Sequence, residues 1–356
     1  MDRLEIGAVI EREMWAEYKE MRRGVMAAEP ERQWPYFDVS SVSVDDRERG
    51  SRVRASVSIY DTCSPFLCRA FVHELEFGDD DRDAALVQQQ LDSLLAAVTR
   101  HFGSRRFMWW NLLPISSNLR ANAAVEQALR RHGFEPDPEN TMICMQLDIA
   151  AWMARLRDSG NPAVSSDGVA RAVAPGGSGS VITELRVREV PPSELRTARC
   201  FTIVYRANYL AVWERLSPEE RIEHEELYMR LMSRGKHRGW RHFEASLPDG
   251  TVVASSALHC ALDHEHHAFN SDEARSSACL RHVMALHHVA VEPSFQRRGF
   301  GSAIVRAVLQ RAGEATAELA KEGASVVLQA DPPGVGLYRR EGFVDVHEIP
   351  TYYHCS

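Results

Sequence analysis

The sequence predicts an α/β fold in which each half of the chain carries a mixed central sheet flanked by helices. Short apolar runs typical of strands alternate with longer segments of helical periodicity. A stretch rich in Gly, Pro and small residues at 158–180 separates two parts, each long enough to bury its own core. The order of elements in the second part is repeated weakly in the first, which indicates a duplicated fold.

The predicted organisation is a first domain at 1–157, a linker at 158–180 and a second domain at 181–356. In the second domain, Ser217 and Pro218 suit a helix start, because Ser caps free helical amides and Pro needs no amide partner there. The predicted elements of this domain are, in order, a strand at 182–190, two helices between 193 and 235, a hairpin of strands at 241–247 and 251–260, a polar loop at 263–278, a strand at 282–291, a helix at 301–323, a strand at 324–330, a short helix at 334–341 and two final strands.

The first domain parallels this order. A long helical period at 82–104 is followed by an apolar strand at 106–114. The segment VEQALRRHGF at 125–134 resembles GVGLYRREGF at 334–343, and an apolar strand at 141–149 comes next. These matches carry the prediction of a tandem fold.

Composition limits the function classes. The 356 residues carry a formal net charge of -8, and neither part has a basic excess, so no nucleic-acid partner is expected. The chain contains no run of about 18 apolar residues, so no membrane span is expected. Because the first residues also lack the apolar core of a signal peptide, we expect a cytoplasmic protein.

The cysteines and histidines predict no metal site. The 7 cysteines are scattered, without a CxxC pair, which disfavours a disulfide framework or a zinc ribbon. His264, His266 and His267 lie in a Ser/Asp-rich stretch without the ligand spacing of a closed site. The acidic run at 219–226 is typical of a solvated helix face, with attraction of a cationic amine as the alternative.

The segment ALHHVAVEPSFQRRGFG at 285–301 is the most informative one. A strand enters a turn with glycines at 299 and 301, and a long helix follows. Glycines allow a sharp turn that exposes backbone amides, and a helix N-terminus adds unpaired donors and partial positive charge. Arg297 and Arg298 add charge-assisted donors. The pattern predicts a cradle for a pyrophosphate.

Here the sequence resembles the GNAT superfamily of acetyl-CoA-dependent N-acetyltransferases. Their Gln/Arg-x-x-Gly-x-Gly/Ala signature stands at 296–301 as QRRGFG, and their Leu-Tyr-x-x-x-Gly-Phe signature at 337–343 as LYRREGF. The resemblance covers about 182–356 and implies the GNAT fold. LHHVAVEPSFQRRGFGS is most similar to the arylalkylamine N-acetyltransferases, with His287 on one of their two strand histidines and Ala285 on the other.

The resemblance implies roles for particular residues. The backbone of Val289 and Val291 would pair with the pantetheine arm of acetyl-CoA, and the amides of 297–302 would hold its pyrophosphate. Tyr338 would protonate the departing thiolate. The implied cofactor-binding residues are Val289, Val291, Gln296, Arg297, Arg298, Gly299, Phe300, Gly301 and Ser302.

The family pattern and this sequence differ at two positions. Asp331 and Gly334 stand where the family often has Asn and Ala, and Asp331 is expected to weaken one cofactor contact. An alkylamine must lose a proton before it attacks a thioester, and a histidine is suited to take it. His287 is the candidate for this base, with His288 or water as alternatives. Because the two histidines are neighbours on a strand, their imidazoles are expected to face opposite ways. Glu292 is a rival base, although its place before a proline favours a solvated turn.

The first domain is predicted to be a degenerate GNAT-like domain that does not bind the cofactor. Leu129 occupies the place of Tyr338, and no Gln-x-x-Gly-x-Gly precedes the helix at 82–104. The acidic stretch HELEFGDDDRDAA stands there instead and would repel a pyrophosphate. Trp109 and Trp110 are then expected to be packing residues.

The sequence therefore predicts an N-acetyltransferase that moves acetyl from acetyl-CoA to a primary amine of a small molecule by direct attack, as a monomer or homodimer without metal. A protein or peptide acetyltransferase and a non-catalytic acyl-CoA-binding protein are the alternatives. The acidic surface does not decide between the acceptors, whereas Tyr338 argues against the non-catalytic alternative.

Overall fold

A computed structural model describes the chain in two compact units, one of Cys144–Val346 and one of Asp2–Ile143 with His347–Ser356. The described residues are 38–45, 54–61, 70–76, 84–102, 108–111, 126–160, 163–165, 168–173, 182–191, 193–194, 199–200, 202–204, 206–207, 214, 217–219, 221–222, 240–260, 283–318 and 324–354. The polar loop predicted at 263–278, with its three histidines, and most of the helices predicted between 193 and 235 lie outside them.

The first unit contains a six-stranded mixed sheet. Its strands follow the order β1-β2-β3-β4-β14-β5, and the helix α1 connects β3 to the parallel strand β4. Residues 126–131 are helical and precede β5. The bounds are β1 Asp38–Asp45, β2 Arg54–Asp61, β3 Ala70–Glu76, α1 Ala84–Phe102, β4 Met108–Asn111, β5 Phe134–Pro136 and β14 Thr351–His354.

The second unit contains an eight-stranded mixed sheet of order β13-β6-β12-β11-β10-β9-β8-β7. Helix α3 connects β11 to the parallel strand β12 and buries Ile304, Val308 and Leu309. The bounds are β6 Met142–Asp148, α2 Ile149–Asp158, β7 Val169–Val173, β8 Ile182–Val190, β9 Trp240–Ser246, β10 Val252–Cys260, β11 Val283–Val291, α3 Phe300–Glu318, β12 Ser325–Ala330, α4 Pro332–Glu341 and β13 Val344–Ile349.

The two sheets share one arrangement, which confirms the predicted duplication. In each, three strands in antiparallel order lead into a 19-residue helix and a parallel strand, as in β3–α1–β4 and β11–α3–β12. A short helix and one more strand follow. In both sheets the parallel pair is joined over three residue pairs.

Each sheet also contains one strand from the other half of the chain. β6 lies between β12 and β13, and β14 takes the corresponding place between β4 and β5. The units therefore do not follow the predicted boundary: Cys144–Asp158 belongs with the second unit, and the last ten residues belong with the first.

The predicted linker is wrong in part, because Val169–Val173 forms β7 and pairs antiparallel with β8. Ala170 and Ala172 are buried on one face of this strand, while Arg171 and Val173 are exposed. Methyl side chains give a weak apolar signal in a sequence, and the alternation was hidden among neighbouring small residues.

The other predicted elements around the motif are confirmed. The hairpin turns through Pro248–Gly250, where Asp249 accepts a hydrogen bond from the Thr251 amide at 2.9 Å. Helix α4 begins two residues earlier than predicted, at Pro332, because a helix has no need of the amides that proline lacks in its first turn. Gly342 ends it with φ of 95°.

Candidate active site

The loop between β11 and α3 exposes a run of backbone amides. The first helical hydrogen bond runs from the Ala303 amide to the Gly299 carbonyl at 3.1 Å. Among the described residues, no amide from Arg297 to Ser302 donates to a backbone carbonyl. These free amides lie at the N-terminus of a 19-residue helix, where the peptide dipoles add partial positive charge. The loop has the form of an anion cradle.

Gly299 is required by the backbone on two grounds. Its φ of 82° lies in the left-handed region, and a Cβ would overlap the carbonyl oxygen of Val173 at the end of β7. A Cβ at Gly301 would lie 2.8 Å from Leu337 Cδ1. The two glycines thus allow close approach of β7 on one side and α4 on the other, and they bring the two sequence signatures into contact.

The polar side chains of the loop are exposed. Gln296 Nε2 donates to the Val291 carbonyl oxygen at 3.3 Å, and Arg298 Nη2 donates to the Ser294 carbonyl oxygen at 3.3 Å. The Arg298 guanidinium also lies 5.2 Å from the ring centre of Phe295. Arg297 has φ of 62°, an uncommon conformation for a residue with a side chain. Both arginine side chains are thus exposed next to the amides of the loop.

Phe300 and Ser302 take different places. The Phe300 side chain is buried and stacks on Phe295 at 6.2 Å, so only its backbone can contribute to an anion site. The half-buried Ser302 hydrogen-bonds Glu341 of α4. Burial raises the pKa of the Glu341 carboxyl, and Arg306 at 3.7 Å opposes that shift.

The strands β11 and β12 separate towards the cradle. Their parallel pairing covers Val283 to Ala285 of β11 and ends there. The following residues of β11 pair with β10 on the other side, up to Val291. Between the described residues of the two strands, the β11 edge that includes Val289 and Val291 is therefore left unpaired by β12. An extended ligand can add to such an edge as a strand does.

A β-bulge places His287 and His288 on the same side of β11, so the prediction that they face opposite ways is wrong. Ser256 of β10 stands opposite two residues, because Ala257 pairs with His287 while Ser255 pairs with Ala290. His288 has φ of 52°, and this left-handed residue breaks the strand alternation. The two imidazole centres lie 6.0 Å apart.

Trp240 of β9 lies at the centre of a histidine cluster. Its indole is 5.3 Å from the His287 ring and 6.1 Å from the His288 ring. The rings of His259 and His242 lie at 4.9 Å and 6.0 Å. The buried Ala257 pairs with both His242 and His287, so its small side chain stands between these two residues on the sheet.

The imidazoles of His287 and His288 are neutral at pH 7. Burial lowers the pKa of His288 to about 4. Burial, with repulsion from His288 and His259, lowers the pKa of His287 well below its usual value. His287 Nε2 is buried and has no hydrogen-bond partner among the described residues. A neutral imidazole in this position can accept a proton or a hydrogen bond.

Tyr338 lies half-buried on α4. Its ring meets Phe343 edge-on at 5.8 Å and lies against Gly334, whose Cβ would be 3.1 Å from Tyr338 Cε2. Burial, and then the Asp331 carboxylate, raise the pKa of the Tyr338 phenol. Burial also raises the pKa of Asp331. The phenol therefore stays protonated across the physiological range.

Glu292 is buried, which contradicts the expected solvated turn. Its Oε1 lies 2.9 Å from Arg206 Nη2. Its amide donates to the Val253 carbonyl oxygen at 2.9 Å, so the strand pairing continues past Val291. The carboxylate is engaged by the Arg206 guanidinium, and this geometry disfavours Glu292 as the proton acceptor.

Within the described parts of the chain, no group of three or more His, Cys, Asp or Glu side chains could hold a metal ion. None of the helices described there is both long and apolar enough to cross a bilayer.

Residues 249–345 match the family model of the acetyltransferase (GNAT) domain. The matched residues lie within the second unit. The match contains β10, β11, the cradle, α3, β12 and α4, and with them His287, Glu292 and Tyr338, whereas Trp240 and His242 of β9 precede it. Among curated proteins, no sequence matches the chain.

Solved structures support the tandem fold. A tandem GNAT protein from the clavulanic acid biosynthesis pathway is 12% identical, with a TM-score of 0.52 over 90% of this chain and 84% of the other. A glucosamine N-acetyltransferase region of a fungal multi-domain beta-N-acetylglucosaminidase is 14% identical, with a TM-score of 0.50 over 85% of this chain. That match spans 31% of the fungal protein. At these identities the likeness establishes the tandem GNAT fold alone.

Sequence reasoning missed three features of this site. They are the bulge at His288, the pairing of Glu292 with Arg206, and the grouping of Trp240 with histidines from three strands. A signal for part of the grouping was present, since Trp240 and His242 stand two residues apart on one strand, but their register with His259 depends on the turn.

Proposed function

We propose that the GNAT domain transfers an acetyl group from acetyl-CoA to the primary amine of a small molecule. One observation carries this proposal: the free amides of 297–302 stand at a helix N-terminus, in contact through Gly301 and Leu337 with the helix that presents Tyr338. This contact supports a single site that would combine a phosphate-binding loop with a protonated phenol. The bound thioester would supply an activated acetyl group.

The cradle fits the pyrophosphate of coenzyme A. The amides of 297–302 would donate to its oxygens, and the exposed guanidinium groups of Arg297 and Arg298 would add charge-assisted hydrogen bonds. The backbone of Val289 and Val291, on the edge that β12 leaves unpaired, would pair with the pantetheine amides. This binding would direct the thioester along β11 towards His287.

The acceptor amine must reach the thioester without its proton. The neutral imidazole of His287, directly or through water, would take that proton, and His288 lies within 6.0 Å to share the role. The low pKa of both groups keeps them in the accepting form at neutral pH. An imidazole with so low a pKa is a weak base, so water relays the proton onward to solvent.

Tyr338 would complete the transfer. A bond forms between the amine nitrogen and the acetyl carbon, the carbon–sulfur bond breaks, and the electron pair leaves with sulfur. The phenol of Tyr338, kept protonated by burial and by Asp331, would give its proton to the thiolate and regain one from solvent. The geometry requires no covalent acetyl-enzyme intermediate.

The experiment is the substitution Tyr338→Phe, assayed by thiol release from acetyl-CoA with a panel of small primary amines and, separately, peptides with free amino groups. We expect kcat to fall by about 10²-fold with the affinity for acetyl-CoA changed by less than about twofold, because only a proton donor is lost. Tyr353→Phe, which removes a phenol that donates to Glu135 at 3.1 Å, is the matched control.

Three outcomes would contradict the proposal. Unchanged turnover in Tyr338→Phe would remove Tyr338 from the reaction. Turnover on peptides alone would make the protein a peptide acetyltransferase. Binding of acetyl-CoA without transfer to any acceptor in the panel would favour a non-catalytic acyl-CoA-binding protein.

A further inference from the structure

Glu292 and Arg206 form an ion pair at the point where β11 enters the cradle. The distance between Glu292 Oε1 and Arg206 Nη2 is 2.9 Å, and the two side chains are 9% and 35% exposed. Glu292 is also held through its backbone, since its amide donates to Val253 and its carbonyl accepts from Phe295 at 2.8 Å. The carboxylate is therefore fixed with respect to the loop that follows it.

Arg206 belongs to a segment, 199–207, whose described residues are largely helical. Ile203 and Val204 of this segment pack against Ala290 of β11. The backbone of the segment makes two hydrogen bonds to the sheet at its other end. They are the Arg199 amide with Glu244 Oε1 at 2.6 Å and the Ser255 hydroxyl with the Cys200 carbonyl oxygen at 3.2 Å.

These contacts place segment 199–207 on the sheet face that carries the histidine cluster. Side chains two or four residues apart on a regular strand share a face. Glu244 therefore shares a face with Trp240 on β9, and Ser255 shares one with His259 on β10. Segment 199–207 covers one end of this face, and Trp240 with its imidazoles covers the other end.

A contribution to the stability of the fold does not explain why an ion pair stands at this position. A buried ion pair often contributes no more than apolar side chains of the same size, because both charges lose their hydration. Here the cost is larger, because Arg206 Nε is buried without a hydrogen-bond partner among the described residues. A buried N–H donor without a hydrogen-bond partner costs about 1–3 kcal/mol of stability. The directional contact between the guanidinium and the carboxylate is what an apolar pair would not supply.

We propose that Glu292 is a positioning residue for the acceptor site: through Arg206 it fixes segment 199–207 over the face that holds Trp240 and His287, and so sets the KM for the amine. The inference rests on the proposed function. The proposal predicts different effects on the amine and on acetyl-CoA. The backbone contacts of Glu292 hold the cradle for acetyl-CoA whether or not its side chain is charged. The carboxylate acts on the acceptor side only.

The test is Glu292→Gln, which keeps the size of the side chain and removes its charge. We expect the KM for the amine most active with the wild-type protein to rise about tenfold, equivalent to about 1.4 kcal/mol, with kcat within about threefold and the affinity for acetyl-CoA within about twofold. Amide hydrogen exchange in segment 199–207 should become faster. Glu292→Asp, which keeps the charge, should raise the KM for the amine less than Glu292→Gln does.

The control is Glu314→Gln, which breaks the exposed pair of Glu314 with Arg311 on α3 at 2.9 Å. The proposal is overturned if Glu292→Gln leaves the KM unchanged, if Glu314→Gln raises it equally, or if the loss falls on acetyl-CoA affinity. If the wild-type protein acetylates no amine in the panel, the proposed function fails by itself. Hydrogen exchange then decides alone, since unchanged exchange of segment 199–207 in Glu292→Gln would refute the positioning role.

Discussion

The ring of Tyr338 lies against Gly334, one helical turn earlier on α4. A Cβ at Gly334 would lie 3.1 Å from Tyr338 Cε2, closer than an ordinary van der Waals contact. Burial raises the pKa of the phenol, and Asp331, at the N-cap of the same helix and on the same face, adds to that shift. The absence of a side chain at Gly334 thus sets the position of the group proposed as the acid.

Gly334→Ala should therefore reduce turnover without preventing cofactor binding. The new methyl group would displace the Tyr338 ring by a few tenths of an ångström, and we expect kcat to fall about threefold to tenfold, because proton transfer depends on position. Steady-state kinetics and calorimetry with acetyl-CoA would measure this split. The matched control is Gly336→Ala on the same helix, whose Cβ would lie 3.6 Å from Arg340 Nη1, an ordinary contact. Equal kcat values in the two variants would contradict the prediction.

Acidification should destabilise the protein through His288. Its pKa is lowered to about 4 in the folded state, so the unfolded chain binds the proton first as the pH falls below about 6.5. The free energy of unfolding should be unaffected by this group above that pH. It should lose about 2 kcal/mol by pH 5 and reach its full loss near pH 4, with His287 adding in the same direction.

The variant His288→Asn isolates this contribution, since Asn tolerates the positive φ of 52° better than most residues. Urea unfolding at pH 7.5 and pH 5 should show a smaller loss of stability on acidification for the variant than for the wild-type protein. An identical loss in both proteins would show that the imidazole of His288 is not the group that titrates.

The features that could be predicted from the sequence are those that depend on residues close together along the chain. The cradle at 296–301 and the helix after it could be found because the turn, the glycines and the helix start lie within one short segment. The side-chain direction of His288 could not, since the bulge depends on Ser256 of another strand. The burial of Glu292 depends likewise on Arg206, which lies far away in the sequence. The place of β14 depends on a pairing with β4 that no local pattern records.

Gly299→Ala should damage the cradle. The alanine would need a positive φ near 82°, and its Cβ would overlap the Val173 carbonyl, so the loop must shift away from β7. We expect the affinity for coenzyme A to fall more than about tenfold, because the amides would no longer converge. Gly250→Ala is a matched control, because Gly250 has φ of 87° in an open turn with no atom within 4 Å of its Cβ.

The control should lose about 1 kcal/mol of stability from backbone strain and keep its affinity for coenzyme A. Calorimetric titration with coenzyme A would measure the affinity of both variants. If Gly299→Ala binds as tightly as Gly250→Ala, the loop amides are not the anion site.

Removal of residues 351–356 should destabilise the first unit. These residues include β14, which pairs with β4 through Thr351–Asn111 and with β5 through His354–Phe134. Tyr352 is buried, and its loss would open a gap inside the six-stranded sheet. Amide hydrogen exchange at Met108–Asn111 should become faster by orders of magnitude, because the strand would lose one of its two neighbours. A variant lacking only residues 355 and 356 keeps β14, so its amide exchange should match that of the full chain. If the variant lacking 351–356 also exchanges like the full chain at Met108–Asn111, the first unit holds its sheet without the C-terminal strand.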